Sequence, residues 1–386
     1  MLDKKMVPEI RFKGFKEDWK ESKIGNFLSI PIEEKADVNN ASQLLTLGLN
    51  LSGLKNGATK NKLHFGATNY FLRKEGQFIY GKQNFFNGSM AIITPEFHNK
   101  ASSKDVPSFN VNNIDNWFFY YYLARPSFYE KTEDLSLGTG SKRIHENILF
   151  NISIAHPELL EEQKKIRSLI SNLNSIVSFN SIKLNKLRVI KQSLLDKMFA
   201  LYDKKVPEIR FKDFLDMWNH KPAKNLGYIT TGNSNTQDSN INGAYPFFIR
   251  SDKPLKSDKF LYDEEAVITI GDGNIGKVFH YINGKFDLHQ RCYKISNFTD
   301  VLGKYFYWYF SSNFYNRVIR MSAKATVDSV RLEMIADMEI YFPSDKNEQS
   351  KISIFLDSLD SLIYYQEQKL EKLNNIKQAL LEKMFC

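Results

Sequence analysis

Cysteine is nearly missing: Cys292 and Cys386 are the only two in 386 residues. That leaves no disulfide framework and fits a reducing compartment. No apolar run approaches the roughly 20 residues that a membrane-crossing helix needs. The start, MLDKKMVPEIRF, lacks the apolar core of a signal peptide. A cytoplasmic protein without a membrane role is expected. Catalytic signatures are absent too. There is no G-x-x-x-x-G-K-[ST] phosphate loop, no G-x-S-x-G, no H-E-x-x-H and no zinc-type cysteine–histidine spacing. Neither a catalytic residue nor a metal ligand is expected.

What is present is positive charge. The formal net charge is +9 and the pI about 9.1, a balance that favours a polyanionic partner, nucleic acid or an anionic membrane surface. With 42% hydrophobic and 25% charged residues the chain can bury true cores, and its length suits two domains with connectors. Thirty Phe and nineteen Tyr are expected mostly in those cores.

The sequence also repeats itself. VPEIRFKGFKEDW (7–19) returns as VPEIRFKDFLDMW (206–218), with nine of thirteen positions identical at an offset of 199. A second pair, 162–199 and 348–385, shares 18 of 38 positions at an offset of 186. Pro157 and Pro343 align upstream of it, as do Ile154 and Ile340. So do the aromatic runs FYYY (119–122) and YFYW (305–308), and Phe128-Tyr129 with Phe314-Tyr315. The edges match while the stretches between them differ in length and sequence. Duplication followed by divergence of two inserts accounts for that pattern.

The 38-residue segments contain neither Pro nor Gly. Apolar heptads run through Ile166, Leu173, Asn180, Leu187 and Leu194, and through Ile352, Leu359, Gln366, Leu373 and Leu380. Leu169/Ile170, Ile176/Val177, Leu184, Ile190 and Met198 extend the first into an a/d/e stripe. Two helices of about 57 Å are expected, each needing a partner to cover its stripe. The inserts read as strands and hairpins, in 76–94 and 264–295, with a helix over 117–132 interrupted near Pro126. Each insert forms a mixed domain of roughly 140 residues.

Two loop motifs invite chemistry. GDGNIGK (271–277) satisfies G-x-G-x-x-G, but a strand precedes it and KVFHYI, another strand, follows. That context makes a hairpin rather than a dinucleotide site, with Asn274 and Lys277 at its tip. GTGSKRIHENIL (138–149) aligns with KATVDSVRLEMI (324–335). Each is either an ordinary loop before a capped helix or a contact loop for phosphates and base edges. The contact reading rests on Ser141, Lys142 and Arg143 in one copy and Lys324, Thr326 and Arg331 in the other. Lys82, Gln83 and Asn84, with Gln290 and Arg291, are further groups capable of paired hydrogen bonds to bases. Arg250 joins these DNA-binding candidates.

The duplicated VPEIRF, the P-x4-EQ-x2-I edges (Pro157, Glu162, Gln163, Ile166; Pro343, Glu348, Gln349, Ile352) and the KQ-x-LL-x-KMF endings (191–199, 377–385) resemble one family. It is the specificity subunit of type I restriction–modification systems, and the likeness covers nearly the whole chain. It implies an α+β fold: two mixed α/β target-recognition domains separated by two long, antiparallel coiled-coil helices, with an internal pseudo-two-fold repeat. The domains would be 1–157 and 201–343, and the spacer helices 158–200 and 344–386. The resemblance implies a non-catalytic subunit that reads a bipartite double-stranded DNA target, one half-site per domain. Its helices would dock two modification (methyltransferase) subunits to direct adenine methylation, and restriction/translocase subunits would join them. No cofactor is expected in this chain; S-adenosylmethionine, ATP and magnesium belong to the partner subunits. The absence of an N-P-P-[FY] motif agrees with that division. The rivals are a basic coiled-coil scaffold, a nucleotide enzyme using GDGNIGK, and a silent or recombining specificity copy.

Two geometric expectations follow. Asn180 and Gln366 occupy equivalent central a positions, where a buried polar pair fixes helix register. And the segment that follows the first long helix, 201–211, corresponds to the chain's start, so residues 1–12 should pack on the end of the second helix as 201–211 pack on the first.

Overall fold

The two Pro- and Gly-free segments are helices, Leu160–Met198 and Lys346–Lys383. The computed structural model describes residues 6–57, 68–136, 141–200, 205–322 and 329–386. No described helix is long and apolar enough to cross a membrane. Along the first helix Ile166, Ile170, Leu173, Asn180 and Leu184 are buried; along the second, Ile352, Leu356, Gln366 and Leu381. On the first helix the buried residues are the a positions Ile166, Leu173 and Asn180 and the e positions Ile170 and Leu184, a narrow seam. The broader a/d/e stripe is corrected here: Ile176 and Ile190 face outward, each about half exposed.

The chain divides into two compact units, Met1–Asn180 with Lys369–Cys386, and Ser181–Gln368. In the first, strands Lys20–Lys23 and Ser153–His156 pair antiparallel, Lys20 opposite His156. A four-stranded sheet is ordered Leu28–Ser29, Ser108–Val111, Phe78–Tyr80, Met90–Ile92. The helix Asn116–Leu123 starts on an Asp115 side-chain cap and stops before Pro126 begins a short second turn, Pro126–Tyr129, because proline disfavours helix in the residue before it. Its buried face, Phe118, Phe119 and Tyr122, meets Trp19, Phe78 and Phe385 in one core.

The second unit has a six-stranded sheet, ordered Tyr228–Thr231, Cys292–Ser296, Tyr262–Ile270, Phe279–Leu288, Tyr245–Phe248, Leu255–Ser257. One pairing is parallel, Phe247 opposite Asp287. The helix Gly303–Ser322 packs its aromatic face into the core beside it. GDGNIGK joins Tyr262–Ile270 to Phe279–Leu288, which pair antiparallel with Thr269 opposite Phe279. No helix follows it, so a pyrophosphate has no helix N-terminus to meet. Gly276, at φ +68°, lets this loop fold onto Tyr315.

The repeated edges build the same frame in each unit. Ile10 N–H donates to Lys383 O at 2.9 Å, and Ile209 N–H to Lys197 O at 3.0 Å. Thus 6–12 pack on the end of the second helix as 205–211 pack on the end of the first; residues 1–5 and 201–204 lie outside the described residues. Trp19 N–H donates to Met6 O and Trp218 N–H to Lys205 O, both at 2.9 Å. Asn219 lies opposite Phe342, as Lys20 lies opposite His156. Arg11 forks onto Glu162 at 2.7 and 2.9 Å, and Arg210 onto Glu348 at 2.7 and 2.8 Å. Gln163 and Gln349 each donate to a proline carbonyl, Pro157 and Pro343, at 2.8 Å.

One alignment shifts by a residue. Phe118 and Tyr122 contact Phe385, whereas Tyr305 and Tyr309 contact Phe199. Phe118 therefore matches Tyr305, not Phe119, and Tyr122 matches Tyr309. Ring contacts to the helix end set this register, and a run of aromatic letters slides by one without penalty in sequence.

Candidate nucleic-acid interface

In the first unit the loop after Phe78–Tyr80 is stitched to two others. Lys82 N–H donates to Asp105 O at 3.0 Å, and Lys82 O accepts from Ile144 N–H at 2.8 Å. In the second unit the loop after Tyr262–Ile270 does the same. Gly271 N–H donates to Arg291 O at 2.7 Å, and Gly271 O accepts from Val330 N–H at 2.6 Å. Asp105 and Arg291 stand 186 residues apart, as do Ile144 and Val330. One backbone crossing thus recurs in both inserts, where sequence identity has nearly vanished.

The side chains hung on it differ. In the first unit Lys82 pairs with Glu146 at 2.7 Å, Lys142 with Glu133 at 2.7 Å and Arg143 with Asp105 at 3.0 Å. Gln83 and Ser141 are exposed, and Asn84 accepts from Asn87 at 3.2 Å. In the second unit one carboxylate, Asp272, takes Arg291 at 2.7 Å and Arg250 at 3.1 Å. Gln290 donates to Asn235 at 2.5 Å. Thr231, Gly271, Asp272, Gln290, Arg291 and Tyr293 line a cleft of about 310 Å³.

Electrostatics hold this second cluster in one state at neutral pH. Burial raises the Asp272 carboxyl, but the Arg291 hydrogen bond and the charges of both arginines outweigh it and hold the group below the usual carboxylate range. Burial, helped by the same arginines, pulls His289 down, and its Nδ1 accepts the Arg291 N–H at 3.0 Å. Burial pushes the Cys292 thiol up to about 12, an inert thiol.

The structure brings Lys82 and Arg143 together within the first unit, and Arg250, Gln290 and Arg291 together within the second. Asn274 is exposed in its hairpin loop, but Lys277 turns back over the Tyr315 ring at 4.9 Å. Arg331 pairs with Glu333 at 3.4 Å. Lys324 and Thr326 lie outside the described residues. The sequence reading missed the acids. Asp272 was visible inside GDGNIGK, where glycine spacing drew attention away from it. Asp105 carried no local signal; only its offset of 186 from Arg291 pointed to it. Among the described residues no cluster of His, Cys, Asp or Glu is set to hold a metal ion.

Comparison with known proteins gives a consistent set. A family model for the type I restriction modification DNA specificity domain matches residues 16–189 and 216–375. The type I restriction enzyme EcoDI specificity subunit of Escherichia coli is 25% identical over 168 residues, 42% of this chain and 37% of that protein. The match thus spans well under half of that relative. The MjaVIII specificity subunit of Methanocaldococcus jannaschii is 21% identical over 335 residues, 79% of this chain and 74% of that one. Among solved structures, the S subunit of a type I restriction–modification system from M. genitalium superposes with a TM-score of 0.68, at 15% identity and 99% coverage of both chains. A chain from work on complex assembly and conformational transition of the type I R-M system gives 0.54, at 15% identity, covering 95% of this chain and 97% of that one.

Proposed function

Since this chain belongs to the type I restriction modification DNA specificity domain family, we propose that it is the non-catalytic, cytoplasmic subunit that reads a bipartite DNA target, one half-site per unit. The observation that carries this reading is the recurrence of one backbone crossing with different side chains: Lys82, Asp105 and Arg143 in one unit, Gly271, Arg291 and Ser329 in the other. A shared frame with divergent tips is what two readers of two unlike half-sites require.

The long helices form an antiparallel pair in this proposal and set the gap between half-sites. Supporting it in the second unit, Arg188 pairs with Glu367 at 2.6 Å and Lys191 with Asp360; one residue number rises as its partner's falls. The helices also dock two methyltransferase subunits. Apolar side chains left exposed on them, Phe179, Ile182 and Val189 on the first and Leu362, Tyr364 and Tyr365 on the second, suit such a partner. Asn180 and Gln366 fix the register. S-adenosylmethionine, ATP and magnesium are assigned to partner subunits, and restriction/translocase subunits complete the assembly.

Methylome sequencing of cells with and without this chain tests the reading. A bipartite adenine-methylation motif should disappear with the chain. An unchanged methylome would refute the function in that cell.

A further inference from the structure

We propose that Asp272 is a positioning residue that presents Arg250 and Arg291 as a paired reader of guanine in the half-site of the second unit. This rests on the DNA-reading function above and assigns its chemistry. Asp272 lies beneath, its side chain 16% exposed, while Arg250 and Arg291 stand out at 46% and 61%. Arg291 donates through Nη1 to Oδ2 at 2.7 Å; Arg250 donates through Nη1 to the same oxygen at 3.1 Å and to Oδ1 at 3.3 Å. Among the described residues Nε and Nη2 of either arginine have no other protein acceptor, so each guanidinium still presents a two-donor edge. That edge matches guanine O6 and N7 in the major groove.

The shared carboxylate separates base reading from phosphate holding. Two arginines on one acid carry a net charge of about +1, which weakens the counterion-release term that phosphate contacts exploit. The acid also repels a phosphate directly. What it supplies is orientation: two long side chains are ordered before the ligand arrives, so less conformational entropy is lost on binding. The backbone fixes the same geometry. A Cβ on Gly271 would come within 2.7 Å of Arg291 O, so the loop carrying Asp272 lies directly against the turn carrying Arg291. At the matching places in the first unit stand Gln83 and Asp105, a set that presents different donors and acceptors.

The test uses the full chain assembled with its methyltransferase subunits and a pool of duplexes with a randomised core, selected and sequenced. Wild type should enrich a bipartite motif with guanine in one half. Arg250→Lys and Arg291→Lys keep the charge but lose the fork. Each should lose guanine preference at one position of that half by roughly tenfold to a hundredfold, with the other half intact. Asp272→Asn should relax both positions while binding to unselected duplex rises. Thermal unfolding of all three should stay close to wild type, which separates reading from folding. If the lysine variants enrich the wild-type motif, or weaken every duplex alike, the guanine assignment is overturned. If Asp272→Asn keeps full discrimination, the positioning role is overturned. A wild-type pool with no motif would sink the DNA-reading function itself.

Discussion

Arg210 and Glu348 meet fork to fork with the carboxylate only 1% exposed, and Arg11 and Glu162 repeat the arrangement. The hydrogen bond to its glutamate raises each arginine further above its usual range, against the opposing effect of burial. Removing one partner leaves a buried charge unpaired, which costs about 3–5 kcal/mol. Arg210→Ala should therefore lower the unfolding free energy of the second unit, measured by urea denaturation, by about that much, and Arg11→Ala should do the same for the first. The exposed Arg291 should leave that stability nearly unchanged when replaced by Ala. Arg11, Glu162 and Gln163 were legible because duplicated words mark positions that the frame holds in common. Asp105 and Asp272 were not, because neither lies in a repeated word and a carboxylate that pairs with an arginine distant in sequence obeys no local folding rule.

At the scale of elements, the long helices were legible almost to their ends. They lack Pro and Gly, and their heptads keep phase for five repeats. The width of the seam was not legible: Ile176 and Ile190 look like stripe residues in sequence yet face outward, since apolar letters do not say whether a helix face meets its own chain or another. The central a positions carry amides, Asn180 at 4% exposure and Gln366 at 5%. Asn180 satisfies its Nδ2 on Ile176 O at 2.7 Å. Replacing both with Leu should raise the melting temperature while permitting slipped or oligomeric forms, visible as added species in light scattering after size exclusion. A single monomeric species of unchanged stability would count against a register role. Inserting one heptad into each helix keeps the seam in phase and adds about 10 Å. The gap in the methylated motif should lengthen by about three base pairs; an unchanged gap would remove the spacer role.

At the scale of the molecule, the two units share the Ile10–Lys383 and Ile209–Lys197 hydrogen bonds, the Trp19 and Trp218 anchors and the crossing at Lys82 and Gly271. They differ in the side chains hung on that crossing: Lys82, Asp105 and Arg143 in one, Gly271, Arg291 and Ser329 in the other. If each unit reads one half-site, a shared frame with different side chains should accept another reader. The most direct measurement is methylome sequencing after residues 20–150 are replaced by the corresponding region of a relative, with everything else retained. One half of the bipartite motif should change while the other half and the gap between them persist. A swap that altered both halves together, or neither, would contradict the account.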